Sequence, residues 1–189
     1  MVTGTGMVTE DFAKFVADQQ EQDADSTVDW AQVRDEWLGH LDSLYEKIVD
    51  FLREYSDKGT ITLDFTEIEL TESDIGSYRA RKMDIRIGKQ RVSLVPVGTL
   101  LVGCRGRVDV LGSAGRAQLL LVNEKVKRAA DLIKVTATVH TKGHVPAASR
   151  PPEEPVSWAW KILTNTAQRA LLDLDKESFL ALLMEIASA

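Results

Sequence analysis

Cysteine and long apolar runs are scarce in this chain. Only one of its 189 residues, Cys104, is a cysteine, so an internal disulfide is excluded and no disulfide-stapled secreted domain is indicated. No apolar run approaches the roughly 18 residues of a membrane span. The sequence up to Phe12 lacks the basic and apolar regions of a signal peptide. We therefore expect a cytoplasmic protein that does not enter a membrane.

Proline, aromatic residues and nucleotide-binding motifs are also scarce. Four of the five prolines fall within residues 142–156, which predicts a proline-rich loop. The glycines between residues 98 and 115 fit neither GxxxxGK[ST] nor GxGxxG between a strand and a helix, so no phosphate loop and no cofactor are predicted. Tyr78 is the only aromatic residue in the basic segment 76–150, and a base-stacking platform is therefore not indicated.

The composition is typical of one globular domain. Hydrophobic residues make up 44% of the chain and charged residues 28%, and the length is sufficient for a core that needs no staple. We predict a flexible or short-helical segment over residues 1–25, with Thr9 capping a helix near residues 10–20. Residues 26–189 are predicted to form a single α+β domain.

The charges are unevenly distributed around a net charge of −6. Residues 1–75 carry 5 basic and 19 acidic side chains, whereas residues 76–150 carry 15 basic and 4 acidic ones. Two interpretations follow. The acidic helices can pack beside the basic sheet and neutralise it, which we favour because the whole chain is acidic, or the middle segment binds an anionic partner.

Apolar residues at intervals of three and four predict one long helix, from Ser26 or Thr27 to Gly59. Its apolar stripe consists of Trp30, Val33, Trp37, Leu41, Leu44, Ile48, Leu52 and Tyr55. This spacing also permits pairing with a second copy of the helix. A short C-terminal helix is predicted after Asp175 as its cap. Its buried face is predicted to be Phe179, Leu182, Leu183 and Ile186.

Between the two helices the apolar residues alternate with a period of two, which is typical of strands. A change of phase near Thr66–Glu67 suggests a β-bulge. Residues 116–122 are apolar on both faces and are predicted to form a central strand. Further strands are predicted at residues 133–139 and 156–162. The fold class is therefore α+β: an antiparallel sheet of about six or seven strands, a long N-terminal helix packed on it and a short C-terminal helix.

The hairpin at Gly88-Lys89 has a predictable register. A two-residue turn there pairs Ile87 with Gln90, Arg86 with Arg91, Ile85 with Val92 and Met83 with Leu94. Pro96 then predicts an edge, an end or a bend of the second strand. A second hairpin is predicted between residues 100 and 123, with its loop at residues 112–115.

This register places two like charges opposite each other. Arg86 facing Arg91 is destabilising by some tenths of a kcal/mol, unless the diagonal neighbour Asp84 or a bound anion compensates. A basic sheet face can follow a phosphate backbone without reading its sequence. The candidate anion- or nucleic-acid-binding residues are Lys82, Arg86, Lys89, Arg91, Arg105 and Arg107.

Two groups of residues are candidates for chemistry at metal or acid–base sites. Glu67 and Glu69 share one strand face and could bind a metal or divide acid and base roles, although we favour a solvated face balanced by arginines. His140 and His144 flank a Lys-Gly at a strand end and have no third ligand nearby, so no metal site is predicted. Cys104 alternates with Val102 and Val108 and is interpreted as a buried structural thiol.

Trp158 and Trp160 lie on the same face of a predicted strand and are candidate interface residues. No catalytic, cofactor-binding or metal-binding residue is assigned. We therefore expect a non-catalytic binding or assembly protein whose partner is another protein or a second copy in a homodimer. The alternatives are nucleic-acid or polyanion binding through residues 76–150, and an enzyme that acts on a phosphorylated small molecule.

Overall fold

A computed structural model describes residues 28–99, 104–130, 132, 157–164 and 170–187. These residues form an α+β fold with a long helix, a seven-stranded antiparallel sheet and a short C-terminal helix, as the sequence predicts. The N-terminal segment, the predicted strand 133–139 and the proline-rich loop 142–156 lie outside the described residues. Within the described ranges, no helix combines the length and the apolar character that a membrane crossing requires.

The elements follow one another as a meander. Helix α1 spans Trp30–Asp57 and helix α2 spans Lys176–Ala187. The strands are β1 (Ile61–Glu72), β2 (Gly76–Ile87), β3 (Gln90–Gly98), β4 (Gly106–Leu111), β5 (Arg116–Asn123), β6 (Trp158–Leu163) and β7 (Leu171–Asp173). Their spatial order is their order in the chain, and every neighbouring pair is antiparallel. The sheet is therefore open, with β1 and β7 at its edges.

Both helices pack on the same face of the sheet, which we call the helix face. One core joins Trp37, Leu44 and Ile48 of α1, Phe179 of α2 and inward strand residues such as Leu94. A smaller cluster lies on the opposite, outer face and contains Leu120, Val122, Val126, Leu132, Leu163 and Leu171. Strand β5 contributes to both clusters, which confirms its predicted central position.

Helix α1 starts later than predicted. Asp29 is its N-cap, and the Asp29 carboxylate accepts the N–H of Gln32 at 3.0 Å, so the start at Ser26 or Thr27 is wrong. A side-chain oxygen at the N-cap satisfies an otherwise unpaired backbone donor, and Asp29 provides one directly before the apolar stripe. The C-terminal boundary before Gly59 is confirmed, because the N–H of Thr60 donates to the carbonyl of Tyr55 at 3.0 Å.

The register of the β2–β3 hairpin is confirmed at all four predicted pairs. Gly88 has φ 58°, the positive value that this two-residue turn requires. Pro96 lies beyond the last β2–β3 pair, and the β3–β4 register shifts between Pro96 and Gly98, so the predicted bend is present. The β4–β5 loop at residues 112–115 is also confirmed, with the N–H of Gly112 donating to the carbonyl of Gly115 at 2.9 Å.

The predicted β-bulge in β1 is wrong. The β1–β2 register runs without a shift from the pair Ile61–Ile87 to the pair Glu72–Gly76. In β1, the more buried residues nevertheless occupy odd positions near Ile61 and even positions from Ile68 onward. In β2, the residues that face them are buried at odd positions near Ile87 and at even positions near Tyr78. The part of β2 that precedes Met83 pairs only with β1. Two-stranded ribbons twist strongly, and we attribute the change of face to this twist rather than to an extra residue.

Of the two last strands, the sequence predicts β6 but not β7. The strand interpretation of Trp158–Leu163 is confirmed, whereas the three-residue β7 was not predicted because so short a segment shows no alternation. Asp175 caps α2 as predicted, since its carboxylate accepts the N–H of Ser178 at 2.8 Å. At the other end of α2, the N–H of Ala114 in the β4–β5 loop donates to the carbonyl of Ile186 at 2.9 Å.

Candidate functional site: an apolar groove beside α2

A groove of about 840 Å³ lies between the end of α1, helix α2 and the first strands of the sheet. Helix α2 forms one wall with Leu180, Leu183, Met184 and Ala187. The facing wall contains Tyr55, Thr60, Ile61, Ile87 and Gln90. None of these side chains is charged, and the groove therefore offers an apolar surface with a few hydrogen-bonding groups.

The composition of α2 explains why the groove is apolar. Its buried face is Phe179, Leu182, Leu183 and Ile186, as predicted, and the ring of Phe179 lies 6.1 Å from that of Phe51 on α1. Helix α2 carries more apolar residues than those of its buried face, and the additional ones, Leu180 and Met184, lie on the flank of the helix. Met184 is 66% exposed, more than any other large apolar side chain in the described part of the chain.

The β2–β3 turn forms one end of the groove. Gln90 lines it, and the hydroxyl of Ser113 donates to the Gln90 side-chain oxygen at 2.9 Å. Lys89 and Arg91 flank Gln90 in the sequence. Neither of these two cations has an ion pair with a described residue. Lys89 therefore places a positive charge without an ion pair beside the end of the groove, whereas Arg91 faces Arg86 in the β2–β3 register and lies on the outer face of the sheet.

The other four predicted anion-binding residues are held in ion pairs. Lys82 pairs with Asp84 at 3.0 Å and Arg86 with Asp64 at 3.4 Å, both on the outer face. Arg107 makes two hydrogen bonds to Asp109, at 2.7 and 2.9 Å. Arg105 pairs with Glu36 of α1 at 2.7 Å. The described outer face is thus a ladder of alternating charges rather than a continuous basic strip.

The pair of like charges at Arg86 and Arg91 is present as predicted. Asp84 beside it accepts hydrogen bonds from Ser93 and Lys82. Burial opposes ionisation of Asp84, but these two bonds and the charge of Arg91 together lower the pKa of its carboxyl group. A lowered pKa contributes stability above the ordinary range of Asp that is lost on acidification. Asp84 therefore compensates part of the repulsion, as the diagonal placement suggests.

Of the two candidate interface tryptophans, Trp160 contacts helix α1 directly, and Trp158 contacts Arg105, the partner of Glu36 on α1. Trp160 lies 6.0 Å from the ring of Trp37, and its indole N–H donates to the carbonyl of His40 at 3.2 Å. The guanidinium of Arg105 lies 4.8 Å from the ring of Trp158. Both rings are half-buried. These contacts give the tryptophans a role in fixing α1 on the sheet.

The carboxylates on β1 lie outside the groove. Glu67 is exposed and pairs with Arg79 at 3.2 Å, while Arg81 pairs instead with Asp42 of α1 at 2.7 Å. The described residues include no cluster of His, Cys, Asp and Glu that could hold a metal ion. His140 and His144 lie outside the described residues. The arrangement of Glu67 resembles a solvated strand face balanced by arginine.

The prediction that the Cys104 side chain lies on the same face of the sheet as Val108 is wrong. Val108 belongs to the core on the helix face, whereas Cys104 packs against the cluster on the outer face. The chain bends at Arg105, between Cys104 and Val108, so the alternation assumed for this strand is interrupted there. Cys104 is half-buried, and burial is the main cause that raises the pKa of its thiol. A raised thiol pKa disfavours the reactive thiolate at neutral pH.

A small pocket of about 120 Å³ near the start of α1 was not predicted. It is lined by Glu36, Trp37, His40, Thr99, Cys104 and Arg105, among others. Burial first, and then the charge of Arg105, lowers the pKa of the His40 imidazole. Beside this pocket, the Glu72 carboxylate accepts the hydroxyl of Tyr78 at 2.5 Å and the N–H of Thr99 at 2.8 Å. These bonds tie the β1–β2 ribbon to the end of β3.

A third concavity, on the other flank of α2, is smaller. It has about 420 Å³ and includes Arg116, Glu185 and Leu172 in its lining. Its charged groups distinguish it from the uncharged groove at Met184. The larger, uncharged groove is therefore better suited to an apolar ligand than this concavity.

No protein-family model, no curated protein and no solved structure matches this chain. Function is therefore inferred from the residues and geometry of this chain alone.

Proposed function

We propose that this protein is a non-catalytic cytosolic binding and assembly protein, which receives an apolar segment of a protein in the groove between α1 and α2. The observation that carries the proposal is the exposure of Met184 beside an uncharged groove of about 840 Å³. A groove of this kind suits an amphipathic helix, which inserts side chains spaced at i, i+3 and i+4. The single cysteine, free rather than disulfide-bonded, is consistent with a reducing compartment.

Peptide selection tests this proposal. From a random peptide library, we expect the full chain to enrich sequences with helically spaced apolar residues. A purified peptide from this pool should bind Met184→Glu at least about tenfold more weakly, because a carboxylate would lose water on contact with the peptide. Leu172→Glu is the matched control: Leu172 is also exposed and apolar, but it lies on β7 outside the groove. Equal binding to all three proteins would contradict the proposal.

Polyanion binding is the second candidate, and Lys89 and Arg91, which have no ion pair with a described residue, favour it. Anisotropy of labelled single-stranded and duplex nucleic acid should then show binding that weakens by roughly tenfold or more between about 50 and 200 mM salt. The double variant Lys89→Glu/Arg91→Glu should abolish binding, whereas Arg79→Glu at the far end of the β1–β2 ribbon should retain most of it. Failure to bind at the lower salt concentration would eliminate this candidate.

A further inference from the structure

We propose that the groove is filled by the acidic N-terminal segment, residues 9–25, of a second copy of this chain. This inference rests on the proposed role of the groove as a protein-binding site and names its occupant. Three features of the chain support it: the charge at the end of the groove, the apolar residues of the segment, and the distance between the segment and the groove of the same copy.

The charges are complementary. Lys89 directly precedes Gln90, which lines the end of the groove, and Lys89 has no ion pair among the described residues. Residues 1–27 carry one basic side chain, Lys14, and six acidic ones. The acidic side chains are Glu10, Asp11, Asp18, Glu21, Asp23 and Asp25. A segment of this composition supplies anions near the positive charge of Lys89.

The apolar residues of the segment have the spacing that a groove of this kind accepts. Phe12, Phe15 and Val16 follow one another at intervals of three and one, which places them on one side of a helix. They are the bulky apolar residues between Thr9 and Asp25. Two phenyl rings and a branched side chain can enter the uncharged channel between Met184 and Ile61, while the acidic residues remain near Lys89.

The distance favours exchange between two copies. The segment precedes Trp30 at one end of α1, whereas the groove begins at Tyr55 near the other end. The 28 residues of α1 span about 42 Å. Residues 17–29, which follow the apolar residues of the segment and lead to α1, reach at most about 45 Å when fully extended. Binding within one copy would therefore require nearly complete extension of the connection, while binding to a second copy requires no such stretch.

Reciprocal exchange produces a closed dimer. Each copy donates its N-terminal segment and receives that of its partner, so the two contacts are related by a two-fold axis. Every segment is then bound and every groove is filled.

Sedimentation velocity of the full chain over a range of concentrations tests the proposal. We expect the wild type to form a dimer with a micromolar Kd. Phe12→Asp/Phe15→Asp in the segment and Met184→Glu in the groove should each weaken the dimer at least tenfold. Leu172→Glu should not, and thermal melting followed by circular dichroism checks that every variant is folded. Mixing the segment variant with the groove variant should restore a heterodimer, since one intact segment then meets one intact groove.

Three results would overturn the exchange. A wild type that stays monomeric is one, and a dimer insensitive to both variants is another. The third is a mixture of the two variants that fails to associate although each is folded. None of these results would remove the proposed function by itself. Peptides that bind the wild type and lose affinity for Met184→Glu would still identify the groove as the site of a different protein.

Discussion

Replacement of Gly106 by alanine is expected to lower the free energy of unfolding by about 2–3 kcal/mol. An added Cβ at Gly106 would lie 2.1 Å from Cζ3 and 2.5 Å from Cε3 of Trp37. The Trp37 side chain is only 1% exposed and packs beside Trp160, so its ring has no free space to enter. Either the start of β4 or helix α1 must move, and such overpacking is costly in a dense core.

A double-mutant cycle identifies the cause of this loss. Trp37→Leu removes the ring that the new methyl group would meet, although this change destabilises the protein by itself. In the Trp37→Leu background, Gly106→Ala should cost at least about 1 kcal/mol less than in the wild type, as measured by urea unfolding. Gly39→Ala is the matched control. It has no atom within 4 Å of its added Cβ, and in a helix interior it should stabilise by up to about 1 kcal/mol. Equal losses in both backgrounds would show that Trp37 is not the obstacle.

The sequence predicts local structure well where one physical signal decides it. The Gly88-Lys89 turn determines the complete β2–β3 register, because a two-residue turn leaves one way of pairing the apolar residues. The cap of α2 at Asp175 is equally local. The bulge in β1 could not be judged in this way. A change of apolar phase can arise from an inserted residue or from twist, and only the partner strand shows which one occurs.

The surface charges illustrate what sequence alone leaves undetermined. Counting residues reveals a basic middle segment and an acidic N-terminal part, but not which charges meet. Arg105 pairs with Glu36, and Arg81 pairs with Asp42, across 69 and 39 positions in the chain. These contacts support the interpretation that the acidic helix neutralises part of the sheet. Lys89 and Arg91 have no ion pair with a described residue, although the charge of Arg91 helps to lower the pKa of the nearby Asp84 carboxyl group.

The groove could be predicted only in part. The apolar residues of α2 exceed what a single buried face requires, and this surplus at Leu180 and Met184 is a sequence signal for an exposed contact surface. The facing wall depends on how α2 docks. Ile61 and Ile87 are paired across β1 and β2, far from α2 in the chain, and no local pattern brings them to the helix.

The docking of α2, and with it the groove, is expected to depend strongly on Gly112. An added Cβ at Gly112 would lie 2.2 Å from the backbone oxygen of Ile186. A backbone oxygen cannot rotate away as a side chain can, so Gly112→Ala must displace the end of α2 and break its hydrogen bond from Ala114. We expect a loss of about 2–4 kcal/mol in the free energy of unfolding, together with faster hydrogen exchange in α2.

Gly115→Ala in the same loop separates this clash from a general effect of loop glycines. Its added Cβ would lie 3.8 Å from Cγ2 of Ile186, which is an ordinary van der Waals contact, and the change should alter stability by less than about 1 kcal/mol. If the groove binds its ligand through Leu183 and Met184, Gly112→Ala should also weaken peptide binding, because both residues move with the helix, whereas Gly115→Ala should leave it intact. Equal stability and equal exchange in the two variants would mean that the loop does not hold α2 in place, and that the groove is maintained by the buried face of the helix alone.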